Sequence, residues 1–414
     1  MEVKKLTEEI KKISDKIDEA DTIIFKNIEI IAESLNLTFG TSGGAPIIMQ
    51  GAMPGIAQAI KAKLEWQSAT FKNPVREFPG QIVEVSFIRS GRGGKKITIG
   101  GQKSMNFYNF ESLMPHVPVV TGDVFDVPIH TDKRPSFLRL AKPVKTHFLD
   151  PDVSADVGEW AKTNVKMGAE MITMHNIGTD PTIPKNLGGG QSPKQAAKNL
   201  EEVLQAVKVP IVIGGSGNPV ADLEVFRECA AASEAERCLI SSLNLDDYKK
   251  IIPIAQKYDH NVLAFTQLDL NNAKKLNAEI LKLDFPQDHI VMDPTCAPLG
   301  YGIQYSFSIY QRIRLSALKG EKEIANPMSA GTTNAWGARE AFLAEKKMPQ
   351  WGPTEYRGPI WEVLTAFMLS IAGMDLAMML HPGAIQSFKK IANELASSKL
   401  SPKPEYLDWI TMEV

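Results

Sequence analysis

From about residue 117 onward the chain alternates short apolar runs with longer amphipathic stretches, eight times over. Few architectures accept that pattern. A short apolar run bounded by turn residues suits a strand buried on both faces, and the helix after it carries the chain back to start the next strand in parallel. The strand runs are 117–125, 170–175, 210–214, 238–242, 261–267, 290–292, 324–328 and 376–380. Helical patterns follow at 155–166, 193–207, 221–232, 246–258, 271–283, 305–318 and 384–397, with a longer insertion of one or two helices over 336–370. Eight such units predict a closed (β/α)8 TIM barrel over residues 117–398, with an open doubly wound sheet as the alternative.

In such a barrel the residues just after each strand line one mouth. The sixth run shows the transition best: it ends at Asp293, and Pro294 then removes a ladder donor and opens the loop D-P-T-C-A-P-L-G-Y-G. The plain alternative for Asp293 is a turn or helix cap. The same reading places Asp126, His175, Asn176, Ser216, Asn218, Asn244, Gln267, Asp269, Asp293, Thr295, the 329–334 run with Thr332, Thr333 and Asn334, and His381 at that mouth. Amides and hydroxyls dominate this ring, and lysine and arginine are scarce. Such groups suit a large neutral polar ligand or an amide-bearing macrocycle better than a phosphoanion. His175, His289 and His381 lack the spacing of a metal site, and a lone histidine is most often structural. The glycine loop at 214–219 opens a helix, so its N–H groups are a weak candidate for an anion; a tight strand-to-helix turn explains it as well.

Ahead of the barrel the pattern differs. Residues 1–35 read as a helical arm, with Leu6, Ile10, Ile13 and Ile17 on one face. The stretch 34–60 has no charge, and its five glycines and two prolines break any helix, so residues 1–75 read as an arm plus an uncharged Gly/Pro-rich loop. Residues 76–116 carry a β-hairpin over 81–99, turning at S-G-R-G-G with exposed basic residues. Its spacing does not fit a phosphate loop. Residues 399–414 form a tail with Tyr406 and Trp409 as aromatic anchors.

Bulk properties exclude several classes. The 414 residues carry a net charge of −2, which argues against a nucleic-acid surface. No long apolar run free of breakers predicts a membrane span, and the Lys/Glu-rich start is not a secretory signal, so a cytoplasmic protein is expected. Cys229, Cys238 and Cys296 are the only cysteines, too few for a four-thiolate cluster on this chain. Cys296 lies in the Asp293 loop.

Three long strings carry a resemblance: G-G-S-G-N-P at 214–219, D-P-T-C-A-P-L-G-Y-G at 293–302, and N-P-M-S-A-G-T-T-N-A-W-G-A-R-E-A at 326–341. They resemble the small subunit of the corrinoid iron–sulfur protein, most nearly its archaeal form, the delta subunit of acetyl-CoA decarbonylase/synthase. The resemblance spans roughly residues 75–395. It implies a barrel related in fold to pterin-dependent methyltransferases. It implies a heterodimer with a larger gamma subunit, which carries a [4Fe-4S] cluster and a corrinoid-binding domain, within a complex that also holds the acetyl-CoA synthase beta subunit and CO dehydrogenase components. The pair would carry a methyl group between tetrahydrosarcinapterin and the nickel–iron–sulfur A cluster. No D-x-H-x-x-G string occurs here, so a cobalt-ligating histidine of that kind is not expected from this chain. The cobamide would then be shared with the partner, with Asn176, Ser216, Asn218, Asn244, Gln267, Asp293, Thr295, Thr332, Thr333 and Asn334 as the cofactor-facing rim. No catalytic or metal-ligating residue is expected on this chain. Two other functions compete: a methyltransferase acting directly on a methyl-tetrahydropterin, with Asp293 or Asn176 at the pterin N5, and a non-catalytic scaffold for the complex.

Overall fold

The computed structural model describes residues 75–127 and 151–397, with two short strands at Leu37–Phe39 (β1) and Ile47–Met49 (β2). The chain divides into two compact units, Met1–Pro74 and Val75–Val414. The expected arm over 1–35 and the tail over 399–414 lie outside the described residues. Within the stretch expected to be loop, β1 and β2 pair antiparallel, Leu37 opposite Met49. Two apolar triplets flanking G-T-S-G-G-A-P are enough for that ladder.

In the second unit the strands are Val85–Ile88 (β3), Lys96–Ile99 (β4), Val119–Phe125 (β5), Met171–His175 (β6), Ile211–Gly214 (β7), Leu239–Leu243 (β8), Asn261–Phe265 (β9), Ile290–Asp293 (β10), Met328–Gly331 (β11) and Met374–Met379 (β12). β5 to β12 close into a parallel barrel, the seam made by β12 on β5 with Leu376 opposite Val119. The helices are Pro151–Ala155 (α1), Val157–Lys166 (α2), Pro193–Ala206 (α3), Pro219–Ala232 (α4), Tyr248–Lys257 (α5), Leu270–Leu281 (α6), Ile303–Leu318 (α7), Arg339–Phe342 (α8), Thr354–Ala372 (α9) and Pro382–Ala396 (α10). Asp156, Ser192, Asn218 and Asp269 cap the helices that follow them with side-chain oxygens. No helix among the described residues is long and apolar enough to cross a membrane.

One strand departs from expectation. The seventh begins at Met328, not at Ile324, which lies in a 3-10 turn. Pro327 has no N–H to give to a ladder, so the strand starts after it, although its carbonyl accepts the Met292 N–H of β10 at 2.9 Å.

Two apolar layers hold the barrel. Outward residues such as Ile172, Met174, Ile213 and Ile240 pack under the helices. Inward residues near the strand starts, Val119, Met171, Val212, Leu239, Leu263, Val291 and Leu376, meet Val85, Phe87 and Ile99 of the hairpin. The β3–β4 hairpin therefore stoppers the N-terminal end of the barrel. Its edges are tied down by Ile88 pairing with Arg237, by Lys95 N–H on Lys208 O at 3.0 Å, and by Asn261 Nδ2 on Ser86 O at 2.8 Å. The glycine turn and Lys96 stay exposed, as the sequence suggested.

Near that end lies a buried ion pair. Arg314 of α7 reaches Asp375 Oδ2 at 2.5 Å and Gln102 Oε1 at 3.0 Å, while Asp375 also accepts from Gln102 Nε2 at 2.9 Å and Met328 N–H at 2.9 Å.

Candidate functional site

Side chains alternate across a strand, so those sharing parity with the plug-facing residues point into the barrel. Farther toward the C-terminal end these are mostly polar, Thr121 and Asp123 on β5, Thr173 and His175 on β6, Ser241 on β8, Asp293 on β10 and Ser329 on β11, with Phe125, Phe265 and Met378 as apolar members. A barrel built only for stability fills these layers with branched apolar residues. Here the throat turns polar midway up.

The throat groups meet. Thr121 and Thr173 hydroxyls lie 2.8 Å apart. Thr333, from the turn after β11, donates to Asp123 Oδ2 at 2.5 Å and lies 3.3 Å from Met378 O. His175 Nε2 stands 3.2 Å from Asp123 Oδ1, within ion-pair range but not aligned for a hydrogen bond, and each atom has no hydrogen-bond partner among the described residues. The His175 ring stacks on Phe125 at 4.6 Å. Asn176 is fully buried; its Nδ2 donates to Gly214 O at 2.8 Å and its Oδ1 has no partner among the described residues. Ser329 Oγ is buried and likewise unpartnered. Buried polar atoms are nearly always paired, so these four leave hydrogen-bonding capacity unused near the C-terminal end of the barrel.

Three carboxyls around the mouth are pushed up to about 7 by burial. Asp293 is raised against the Thr295 N–H at 2.8 Å and the nearby Tyr310 hydroxyl. Asp126 is raised against the Gly178 N–H, which it accepts at 2.9 Å. Glu362 of α9 is raised against three donors. An open cleft of about 390 Å³ between α2 and α3 borders Asp126 but contains none of the throat groups.

The structure sorts the sequence-predicted rim. Thr333 stands in the throat, with Asp293 at the end of β10 and Asn176 buried just after β6 against the end of β7. Thr295 sits beside them at φ 79, its hydroxyl donating to Thr266 O at 2.6 Å, and Thr332 donates to Met378 O at 2.7 Å. Asn334 is exposed, with its amide on Cys296 O at 3.2 Å, and Gln267 is exposed on the rim. Three residues serve local structure instead. Asn218 caps α4 through Val220 and Ala221 N–H. Asn244 bonds Asp247 and Asp246 in the turn before α5. Ser216 gives its N–H and hydroxyl to Asp222 Oδ1, both at 2.7 Å. Asp222 also takes Gly217 N–H at 2.9 Å, so the glycine loop already holds an anion, the chain's own carboxylate. A Cβ on Gly215 would lie 2.5 Å from that carboxylate, so nothing larger than glycine fits there.

Asp123 and His175 face each other, and the strand-end rule captured His175 and Ser329 but not Asp123. Asp123 was hidden inside a run read as apolar; its signal is the i, i+2 pair Thr121 and Asp123 within V-V-T-G-D-V-F. Glu362 gave no signal, since nothing in a helical run tells which turns it reaches. All three cysteines are buried, and burial raises each thiol, Cys238 to about 12.

Comparison with known proteins follows the same line. The family model described as CO dehydrogenase/acetyl-CoA synthase delta subunit matches residues 87–348. The acetyl-CoA decarbonylase/synthase complex subunit delta 1 of Methanosarcina thermophila is 44% identical over 383 residues, covering 91% of this chain and 83% of its own. The complex subunit delta of Methanocaldococcus jannaschii is 42% identical over 396 residues, covering 92% and 91%. Among solved structures, dihydropteroate synthase from Thermus thermophilus in complex with 6HMPPP aligns over 78% of this chain and 99% of its own, at TM-score 0.43 and 13% identity. With the barrel, the matched family span and relatives of this identity together, the chain belongs to the delta-subunit family of the acetyl-CoA decarbonylase/synthase complex.

Proposed function

We propose that the barrel mouth is one face of a corrinoid site whose cofactor is carried by the gamma subunit, the two chains together moving a methyl group between tetrahydrosarcinapterin and the A cluster. The observation that carries this reading is the polar throat with its unpartnered atoms. Asp123 Oδ1 and Asn176 Oδ1 are acceptors without donors, and Ser329 Oγ and His175 Nε2 can take either role. A corrinoid edge bears amide side chains that offer both N–H and C=O, so the chemistry of the two surfaces matches. When bound, the corrinoid supplies the nucleophile that takes up and releases the methyl group. This chain's residues orient and shelter it. Asp123, braced by Thr333, and Asn176 accept from amides at the rim. The stoppered barrel below keeps bulk water from entering behind them.

The iron–sulfur cluster belongs on the partner in this reading. Three buried thiols on α4, just before β8 and after β10 do not supply four thiolates. Within the expected rim, Asn218, Asn244 and Ser216 brace the turns that open α4 and α5, as Thr295, Thr332 and Asn334 bond nearby backbone; to that rim Asp123, His175 and Ser329 are added.

A second reading is favoured by Asp293. A carboxyl that holds its proton up to about pH 7 can give a hydrogen bond to a ring nitrogen, which suits direct action on a methyl-tetrahydropterin. An anaerobic ultraviolet–visible titration separates the two. The corrinoid reading expects cobalamin binding and a base-off spectrum only with this chain and its large-subunit partner together. Tight binding of methyl-tetrahydropterin by the isolated chain refutes it in favour of the second. If the chain changes neither the affinity nor the spectrum of the partner, both fail and a scaffold role remains.

A further inference from the structure

Glu362 sits midway along α9, outside the barrel wall, and is fully buried. Burying a carboxylate is costly unless its acceptor positions are filled. Its hydrogen bonds all come from other segments. Oε1 accepts Leu380 N–H at 2.5 Å; Oε2 accepts His381 N–H at 3.1 Å and Trp336 Nε1–H at 3.0 Å. Leu380 and His381 begin the turn after β12. Trp336 lies in the 3-10 turn Thr332–Gly337 after β11, three residues beyond Thr333. One carboxylate therefore ties two neighbouring turns of the mouth together.

The Trp336 ring is held on its other sides as well. A Cβ on Gly358 of α9 would lie 2.3 Å from it, so the ring seats in a notch that glycine leaves open. It also stacks on His381 at 5.9 Å and 17°. Around Glu362, α9 packs through Val363, Ala366 and Leu369. An apolar residue at 362 would pack too, but would leave three buried donors without an acceptor.

We infer that Glu362 is a positioning residue for the mouth: by holding Trp336, Leu380 and His381 it fixes Thr333, and through Thr333 the Asp123 carboxylate. The inference rests on the reading of the mouth as the cofactor-facing surface. The ionisable groups that face Glu362 are Asp123, from β5, and His381, from the turn after β12. Burial, with a further push from Asp123, lifts the Glu362 carboxyl to about 7. Its charged form fills all three donors. A protonated form turns one oxygen into a donor against donors and loosens one of the turns. Glu362→Gln imposes that state permanently, because an amide offers a single acceptor oxygen. Trp336→Phe removes one bond of the three and keeps the stacked ring.

The test uses the complete heterodimer with its corrinoid-bearing partner, and measures methyl transfer from methyl-tetrahydrosarcinapterin between pH 5.5 and 8.5. The wild type is expected to slow as pH falls through about 7. Glu362→Gln is expected to lose on the order of ten- to a hundredfold in kcat at pH 8, since displacement by about an ångström has that effect. Its KM should change little, and its pH profile should lose the component present in the wild type. Trp336→Phe should fall between the two, and it still reports if Glu362→Gln fails to assemble. Rates within twofold of wild type in both variants, with an unchanged pH profile, overturn the inference. Asp123→Asn and Thr333→Val, run in parallel, separate the levels. If they alter the corrinoid spectrum while the Glu362 and Trp336 variants are silent, the positioning role fails alone; if all four are silent, the mouth reading fails with it.

Discussion

Asp375→Asn leaves the wholly buried Arg314 guanidinium facing an amide in place of a carboxylate. In the wild type, Asp375 Oδ2 takes Arg314 and the Met328 N–H, and Oδ1 takes Gln102. Asparagine keeps one acceptor, and its new NH2 points either at Gln102 or at the Arg314–Met328 side. An unpaired buried charge of this kind costs about 3–5 kcal/mol. Arg314→Met alone strands the carboxylate instead and should cost a similar amount. The double variant Arg314→Met, Asp375→Leu removes both charges but leaves the Met328 N–H and the Gln102 amide short of partners, at about 1–3 kcal/mol each. It should therefore be far less damaged than the sum of the singles. Guanidinium chloride unfolding followed by far-ultraviolet circular dichroism measures the wild type, Arg314→Met, Asp375→Leu and the double variant, the four corners of the cycle, with Asp375→Asn measured beside them. A loss below about 1 kcal/mol for Asp375→Asn, or singles that add to the double within about 0.5 kcal/mol, refutes the reasoning. Because the pair lies toward the plugged end, the corrinoid spectrum expected of a heterodimer on the proposed reading should not move.

Other consequences are measurable. Asp293 holds a proton in the folded barrel up to about pH 7, far above its ordinary 3.8, so it favours the folded state fully below that ordinary value and less as pH rises toward 7. The stability of the wild type relative to Asp293→Asn should thus fall between pH 4 and 7 by up to about 1.4 kcal/mol per unit; a flat difference in urea titrations across that range refutes it. Gly358→Ala should push the Trp336 ring out of its notch and cost about 1–3 kcal/mol, with a drop in transfer rate that follows Trp336→Phe. Wild-type stability and rate in that variant would show that the ring shifts freely.

The barrel was legible because each unit repeats one local pattern: a short apolar strand, a turn, then an amphipathic helix. β11 escaped because M-S-A-G has no β-branched residue, while the more strand-like Ile324 lies in a 3-10 turn three residues before Pro327, which has no N–H to give to a ladder. The site was legible as a location and less so as a set of side chains. Strand-end residues do gather at the mouth, but an asparagine after a strand serves equally well as a helix cap or a turn brace: Asn218 caps α4, and Asn244 bonds within the turn before α5. Whether an amide faces inward or back onto its own turn depends on backbone angles, not on composition. Asp123 lay in view, two residues after Thr121, yet an apolar run invites the eye past a single carboxylate. Glu362 acts across eighteen residues of chain to Leu380 and twenty-six to Trp336, a reach that no local window reports.

Among the described residues the hairpin closes one end of the barrel. Val85 and Phe87 are wholly buried where a second entrance would otherwise lie. Whatever sits in the throat must arrive and leave on the same side, so entry and departure cannot proceed at once. On the proposed reading, a partner docked over the mouth would have to lift before the throat could exchange what it holds.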